Sequence, residues 1–209
     1  MRNGYKSVLN EATVEYITKK SRFIATVKPI AEEEQALEHI KECRTRYWDA
    51  THNVYAYIVK NGNIQRYSDD GEPRGTAGIP VLEVLIKQGF ADVLVVITRY
   101  FGGIMLGAGG LVRAYTHTAG MGILAAGCVD IQKCYSMKVM CSYAQHEKIS
   151  RTISQNGGNV EKTEYGDGVV INFVTPIHFV EEMKVKLTEA LGFEPEIELT
   201  EEIYRALVQ

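Results

Sequence analysis

The chain has 209 residues, 45% hydrophobic and 23% charged, which is typical of a soluble globular protein with one large or two small domains. Its formal net charge of -3 excludes a uniformly basic nucleic-acid-binding chain. Residues 1–135 hold 16 Lys and Arg against 14 Asp and Glu, whereas residues 136–209 hold 7 against 12. Any nucleic acid is therefore expected to meet a local patch of the first part.

Neither a signal peptide nor a membrane span is expected. The N-terminal residues lack an apolar h-region, and no apolar run approaches the length needed to cross a bilayer. We therefore expect a cytoplasmic protein with no membrane partner. The cysteines form no C-x-x-C pair, so buried reduced thiols are favoured over zinc ligands. These cysteines are Cys43, Cys128, Cys134 and Cys141.

Hydrophobic periodicity predicts the elements of the first part in chain order. Strands are expected at residues 22–28, 53–59, 64–67 and 92–98, and helices at 31–47, 80–88 and 111–126. Asn61 and Gly62 predict a hairpin turn. Pro80 suits the first turn of the second helix, and Gly89 can end it.

The pattern changes after Gly127. Strands are expected at residues 136–142, 159–165, 169–175 and 194–199, and helices at 145–155 and 177–191. The order β-α-β-β-α-β is that of a ferredoxin-like split β-α-β unit. The fold class predicted for the whole chain is α+β, with domains at residues 1–135 and 136–209.

The most informative segment joins the buried strand at 92–98 to the helix expected at 111–126. It contains four glycines between two arginines, Arg99 and Arg113. Glycine allows backbone amides to approach a ligand closely, and a helix N-terminus adds unpaired N–H groups. The segment is therefore a candidate anion site, although its spacing matches neither the P-loop nor the dinucleotide fingerprint. These glycines are Gly102, Gly103, Gly109 and Gly110.

Helical side chains lean toward the N-terminus, so Arg113 could reach back over the glycines. The alternative is that the glycines form a tight turn with close helix packing. Each arginine could also pair with an acid of the domain instead of a ligand. The candidate acids are Asp69, Asp70 and Glu72.

These three acids could bind Mg²⁺ or serve acid–base chemistry, but they lack a dedicated ligand pattern. A solvated acidic turn is favoured, and we expect no metal site and no cofactor. Tyr100 and Phe101 could stack on bases; we expect one of them to lie in the core.

Other polar residues are expected to be structural. His52 has no Cys or Ser partner in a known catalytic spacing, and Ser68 and Thr76 are typical turn residues. The basic cluster at residues 19–22 is expected to be an exposed, solvated stretch.

Several separated motifs carry a resemblance to a known family. They are HNVYAY at residues 52–57, DDGEP at 69–73, GTAGIP at 75–80, DVLVVITRYFGGIMLG at 92–107 and AGGLVRAY at 108–115. The chain resembles bacterial two-domain members of the IMPACT family. The resemblance implies a first domain with a β-α-β fold like that of a ribosomal small-subunit protein and elongation factor G domain IV. It implies a second domain like domain V of that factor.

The resemblance also implies a translation-related role. Eukaryotic members regulate translation by competing for the activator of the amino-acid-starvation kinase. They use an additional N-terminal module that we do not expect here.

Three functional hypotheses follow. The first is a translation-related regulator that binds RNA, the ribosome or a translation factor through Arg99, Arg113 and the glycine segment, helped by Arg74. The second is an enzyme acting on a phosphorylated small molecule or nucleotide, although no nucleophile–base pair stands out. The third is an adaptor whose acidic second domain, residues 136–209, binds a protein.

Overall fold

The computed structural model describes residues 4–206, so Met1 to Asn3, part of the stretch considered for a signal peptide, lie outside the described residues. Two compact units are present: residues 5–129, and residues 130–206 with Gly4. The sequence placed the division near residue 135. The α+β class is confirmed, because helices and antiparallel strands alternate along both units. Within the described range, no helix is both long and apolar enough to cross a membrane.

The first unit is built on a five-stranded antiparallel sheet in the order β2-β3-β6-β4-β5. The strands of this sheet are β2 (Ala12–Thr18), β3 (Ser21–Pro29), β4 (His52–Val59), β5 (Ile64–Ser68) and β6 (Val93–Tyr100). Strand β1 (Gly4–Val8) precedes them and does not belong to this sheet. The helices of the first unit are α1 (Glu33–Arg46), α2 (Gly78–Gln88) and α3 (Ala108–Ala126).

Helices cover both faces of this sheet, which explains the continuous apolar run of β6. Val93, Val95 and Ile97 pack in the core shared with α2 and α3. Leu94 and Val96 point to the opposite face and pack in the core shared with α1. A strand buried on both faces loses the usual alternation of apolar and polar residues.

Strands β1 and β2 were missed in the sequence, although β2 carried a signal. Val14 and Tyr16 pack against the core, whereas Glu15 and Ile17 are exposed. This alternation is typical of a half-buried edge strand.

Helix α3 begins one turn earlier than predicted. Gly107 occupies the N-cap with φ 73°, a conformation that favours glycine, and the helix starts at Ala108. Gly109 and Gly110 are therefore helical residues of the first turn rather than parts of a loop. Their low helix propensity had suggested a later start.

The second unit contains β7 (Cys128–Cys141), α4 (Tyr143–Gln155), β8 (Asn159–Tyr165), β9 (Val169–Pro176), α5 (Val180–Leu191) and β10 (Ile197–Ala206). Its strands lie in the order β10-β7-β9-β8, with antiparallel neighbours. This is the arrangement expected of a ferredoxin-like unit.

Several element bounds differ from the expectations. β7 begins earlier than predicted, β10 is longer, and a 3₁₀ turn (Ile177–Phe179) precedes α5. Cys128 is exposed, which corrects the expectation that every thiol is buried. Cys43, Cys134 and Cys141 are buried and free.

Candidate functional site

Three strands place a row of side chains at the end of the sheet where β6 runs into the glycine segment. Arg99 on β6 lies directly opposite Phe23 on β3 and His52 on β4. Directly opposite residues of antiparallel strands project to the same face. The register therefore brings the three side chains together.

Glu72 lies over this row and is almost fully buried. Its Oε1 accepts hydrogen bonds from Arg99 Nη1 at 2.5 Å and from the Tyr115 hydroxyl at 2.8 Å. The side chains of Arg99 and Glu72 are 6% and 2% exposed. His52 Nε2 lies 3.9 Å from Glu72 Oε2. We call these four residues the Glu72 cluster.

The position of Arg99 differs from the expected open anion site. Its guanidinium is buried against Glu72. This is the alternative in which Arg99 pairs with an acid of the domain instead of a ligand. The guanidinium also lies 5.3 Å from the ring centroid of Phe23 and 5.6 Å from that of Phe101. Arg99 thus holds Phe101, at the start of the glycine segment, through the contact of its guanidinium with that ring.

Tyr115 connects α3 to the cluster. Its ring meets that of Phe23 edge-on, with centroids 5.2 Å apart. Burial, followed by the charge of Glu72 and the hydrogen bond to it, raises the pKa of Tyr115 well above its ordinary value. The phenol therefore stays neutral and remains a donor to Glu72.

The acidic segment before α2 is not the solvated turn that the sequence suggested. Asp69 accepts the backbone N–H groups of Gly75, Ala77 and Gly78, and so satisfies the start of α2. Asp70 accepts the N–H of Asn53 and a guanidinium N–H of Arg44.

Together with the buried Glu72, these carboxylates accept hydrogen bonds from protein donors. No group of three or more His, Cys, Asp or Glu within the described residues could hold a metal ion.

The neighbouring polar residues hydrogen-bond within the same segment. His52 Nδ1 lies 2.8 Å from the Asp70 carbonyl oxygen, which only accepts, so this nitrogen carries the proton. Ser68 accepts the N–H of Asp70, and the Thr76 hydroxyl donates to the Pro73 carbonyl. These contacts are the structural roles expected of His52, Ser68 and Thr76.

An open groove of about 550 Å³ lies between β2 and the start of α3. Arg113 and Lys19 line it, and both side chains are exposed. No acidic residue is among the nine lining residues, all of which belong to the described part of the chain. We call this the α3 groove. It is lined by Tyr16, Thr18, Lys19, Leu106, Gly110, Arg113, Ala114, Thr116 and His117.

Arg113 reaches back toward the N-terminus of α3, as helix geometry predicts. A Cβ atom placed on Gly109 would lie 3.6 Å from Arg113 Nη1. Gly109 and Gly103 are both exposed, so the backbone on this side is open to solvent. No ion pair holds Arg113 or Lys19 to another described residue.

The basic turn between β2 and β3 is part of the same region, which the sequence did not reveal. Lys19 and Lys20 both adopt positive φ, at 46° and 65°, as in the two-residue hairpin turns that glycine and asparagine favour. Gly102 packs directly on this turn, because a Cβ there would lie 2.0 Å from the backbone carbon of Lys20. The Gly102 N–H also donates to the Ser21 hydroxyl.

The remaining predicted residues lie elsewhere. Arg74 is exposed in the turn before α2 and does not line the α3 groove. Tyr100 and Phe101 are both outside the core, which corrects the expectation that one would be buried in it. The Tyr100 hydroxyl donates to Asp49, and Phe101 is 49% exposed.

Comparisons with known proteins match both units. The family described as "Impact N-terminal domain" matches residues 19–123, and the "Domain of unknown function (DUF1949)" matches residues 139–192. IMPACT family member YvyE of Bacillus subtilis (strain 168) is 38% identical over 170 residues, which are 81% of this chain and 78% of that protein.

IMPACT family member YigZ of Escherichia coli (strain K12) is 31% identical over 174 residues, 82% of this chain and 85% of that protein. A solved structure described as "Crystal structure of an hypothetical protein" has a TM-score of 0.60 and 28% identity. The match covers 96% of this chain and 99% of that structure. Because the matches span both units at these identities, the chain belongs to the IMPACT family.

Proposed function

We propose that this protein acts in translation by binding RNA, and that the α3 groove holds the phosphate backbone. The observation that carries the proposal is the lining of the groove. It offers the cations of Lys19 and Arg113 and no carboxylate. A groove lined by cations, with no carboxylate to oppose them, attracts anions.

The geometry supplies three kinds of donor to a phosphate. The Arg113 guanidinium can bind two phosphate oxygens at once, and Lys19 adds a point charge on the opposite wall. The first N–H groups of α3, which no side chain caps, add partial positive charge at the same end of the groove. A phosphate between Lys19 and Arg113 would be bound both by the turn after β2 and by α3.

The link to translation rests on membership of the IMPACT family, which also implies a fold like that of ribosomal and elongation-factor domains. The open groove suits an RNA chain, because the strand can extend out of the groove on either side of the bound phosphate. The Arg99 guanidinium and the Glu72 cluster support this surface from the core instead of contacting the ligand.

A phosphorylated small molecule is the second candidate. The groove volume of about 550 Å³ lies within the range of small-ligand sites, roughly 300–1,000 Å³. His117 is the general base candidate among the lining residues, but its ring packs edge-on against Tyr16, with centroids 4.6 Å apart. This contact favours a role for His117 as part of the groove wall over a role in proton transfer.

Fluorescence anisotropy with a labelled single-stranded 12-nucleotide RNA tests the proposal. Removing Arg113 with Arg113→Ala, or Lys19 with Lys19→Ala, should raise the dissociation constant about tenfold, the effect expected for a lost charged hydrogen bond. The matched control is Arg66→Ala, because Arg66 is an exposed arginine of β5, at the opposite edge of the same sheet.

Equal losses in Arg113→Ala and Arg66→Ala would contradict a local site. Competition with ATP separates the two candidates. RNA binding that millimolar ATP does not displace supports the RNA function. Tight ATP binding that requires Arg113, with no measurable RNA binding, would replace it with the small-molecule function.

A further inference from the structure

A second surface lies beside the basic turn, at the same end of the sheet. It consists of Trp48, Phe101, Arg22 and Lys20, and we call it the Trp48 surface. Trp48 is 82% exposed and Phe101 is 49% exposed. Large exposed aromatic side chains beside cations form the usual platform for unstacked bases.

Backbone and side-chain contacts bring these residues to one edge. Thr51 donates its N–H to the Arg99 carbonyl and accepts the N–H of Phe101, so the Trp48 loop lies against the end of β6. Asp49, next to Trp48, accepts the Tyr100 hydroxyl at 2.8 Å.

The basic turn adjoins the other side of the same strand end. Arg22 lies directly opposite Tyr100 in the sheet, and its guanidinium carbon is 5.4 Å from the centroid of that ring. Gly102 packs on the backbone of Lys20. The loop, the strand end and the turn therefore lie at the same end of the sheet, with Phe101 beside Arg99 on the face that α3 covers and Tyr100 on the other face.

Lys20 supplies the uncompensated positive charge of this surface. Arg22 is paired with Glu15, which balances both charges, whereas Asp49 keeps its negative charge because the Tyr100 hydroxyl that donates to it is neutral. Lys20 is exposed and forms no ion pair with any other described residue. The Arg99 guanidinium beneath Phe101 fixes that ring while leaving about half of the residue exposed.

We propose that Trp48 and Phe101 stack on bases of a single-stranded RNA whose phosphates occupy the α3 groove. The inference rests on the proposed function and extends it from the backbone to the bases. Residues 101–107 join the two surfaces, because they run from Phe101 to the start of α3. The preferred ligand is thus an unpaired segment, since the bases of a duplex are already stacked on each other.

Trp48 is the single tryptophan of the chain, so its emission reports directly on its own surroundings. Titration with unlabelled oligoadenylate of 12 nucleotides should quench this emission. The same length of abasic strand should bind without quenching, because it offers phosphates and no bases. Anisotropy with labelled oligoadenylate gives the affinity in parallel.

Trp48→Ala should raise the dissociation constant for oligoadenylate about 5- to 100-fold, the range expected for loss of one stacked base. Trp48→Phe should retain most of the affinity, and Phe101→Ala should behave like Trp48→Ala. Phe193→Ala is the matched control, because Phe193 is an aromatic residue of the second unit with 54% exposure. It should leave the affinity unchanged. Circular dichroism of each variant confirms that the fold is retained.

The outcomes separate the two proposals. Arg113-dependent binding without quenching, and with equal affinity in Trp48→Ala, overturns base stacking and leaves the phosphate site intact. Tighter binding of a 12-base-pair duplex than of the single strand also overturns it. If no RNA binds even at low salt, the proposed function fails and the stacking inference fails with it.

Discussion

Glu72 joins three parts of the first unit, with partners 27 and 43 residues away in the sequence. Its carboxylate accepts from Arg99 on β6 and from Tyr115 on α3, while Glu72 itself belongs to the segment before α2. A buried carboxylate without partners would be strongly unfavourable, whereas this one has a guanidinium and a phenol. The pairing therefore specifies which end of β6 meets which turn of α3, and so positions the glycine segment.

Tyr115 gives the stability of the folded protein a measurable pH dependence. The pKa of its hydroxyl is raised in the folded protein by burial and by Glu72, while in the unfolded chain it is about 10. Above pH 10 the unfolded state loses the proton that the folded state retains, so the contribution of this residue to stability falls as the pH rises.

The expected result for Tyr115→Phe is a loss of about 1.5–3 kcal/mol at pH 8, the range for a hydrogen bond to a charged group. The difference in unfolding free energy between the wild type and the variant should shrink between pH 10 and 11. Urea unfolding at pH 8, 9, 10 and 11 measures it. A difference that stays constant over this range would show that the raised pKa of Tyr115 does not contribute to stability.

At the scale of elements, α3 is held close to the sheet by one glycine. A Cβ atom on Gly122 would lie 2.7 Å from a methyl carbon of Val27 and 3.1 Å from the Cβ of Ala25. Gly120 is in the same helix, but a Cβ there would meet nothing within 4 Å. Both glycines are therefore helical, but only Gly122 packs closely against the sheet.

Alanine at these two positions should have opposite effects. Gly120→Ala should stabilise the protein by about 0.5–1 kcal/mol, because alanine is the better helix former. Gly122→Ala should destabilise it by about 1–2 kcal/mol, because the added methyl group overpacks the contact with β3. Thermal or urea unfolding of both variants checks the pair. Stabilisation by Gly122→Ala would mean that α3 can move away from the sheet at little cost.

The elements that the sequence predicted well are those whose signals are local. The apolar run of β6, the left-handed Gly89 that ends α2 and the backward lean of Arg113 depend on neighbours within a few residues. The start of α3 was placed too late because glycines have poor helix propensity, yet Gly107 supplies the N-cap conformation.

The candidate site was harder to predict because it depends on strand pairing. Lys19 reaches the α3 groove through the hairpin of β2 and β3, about 90 positions from Arg113 in the sequence. The buried position of Glu72 likewise follows from the register of β6 with its neighbours. No periodicity within a single segment contains this information. The exposure of Trp48 is likewise not predictable from the sequence, because a lone tryptophan beside a helix end gives no pattern.

For the whole molecule, the segregation of charge decides how RNA can bind. The net charge is -3, and residues 136–209 carry 12 acidic residues against 7 basic ones. The general field of the protein therefore does not attract a polyanion, and binding must depend on the few local cations of the first unit. At the α3 groove and the adjoining basic turn, Lys19, Lys20 and Arg113 form no ion pair with any residue that the structure describes.

This argument predicts the salt dependence of binding. A single strand that neutralises about three cations should give a slope near -2 in a plot of log association constant against log salt concentration, since each contact contributes about -0.7. Arg113→Ala should make the slope shallower by about 0.7, whereas Arg66→Ala should leave it unchanged. Anisotropy titrations between 50 and 200 mM potassium chloride, about the range over which such slopes are defined, provide the measurement. A slope several units steeper would contradict a local site, because it requires more phosphate contacts than these three side chains can make.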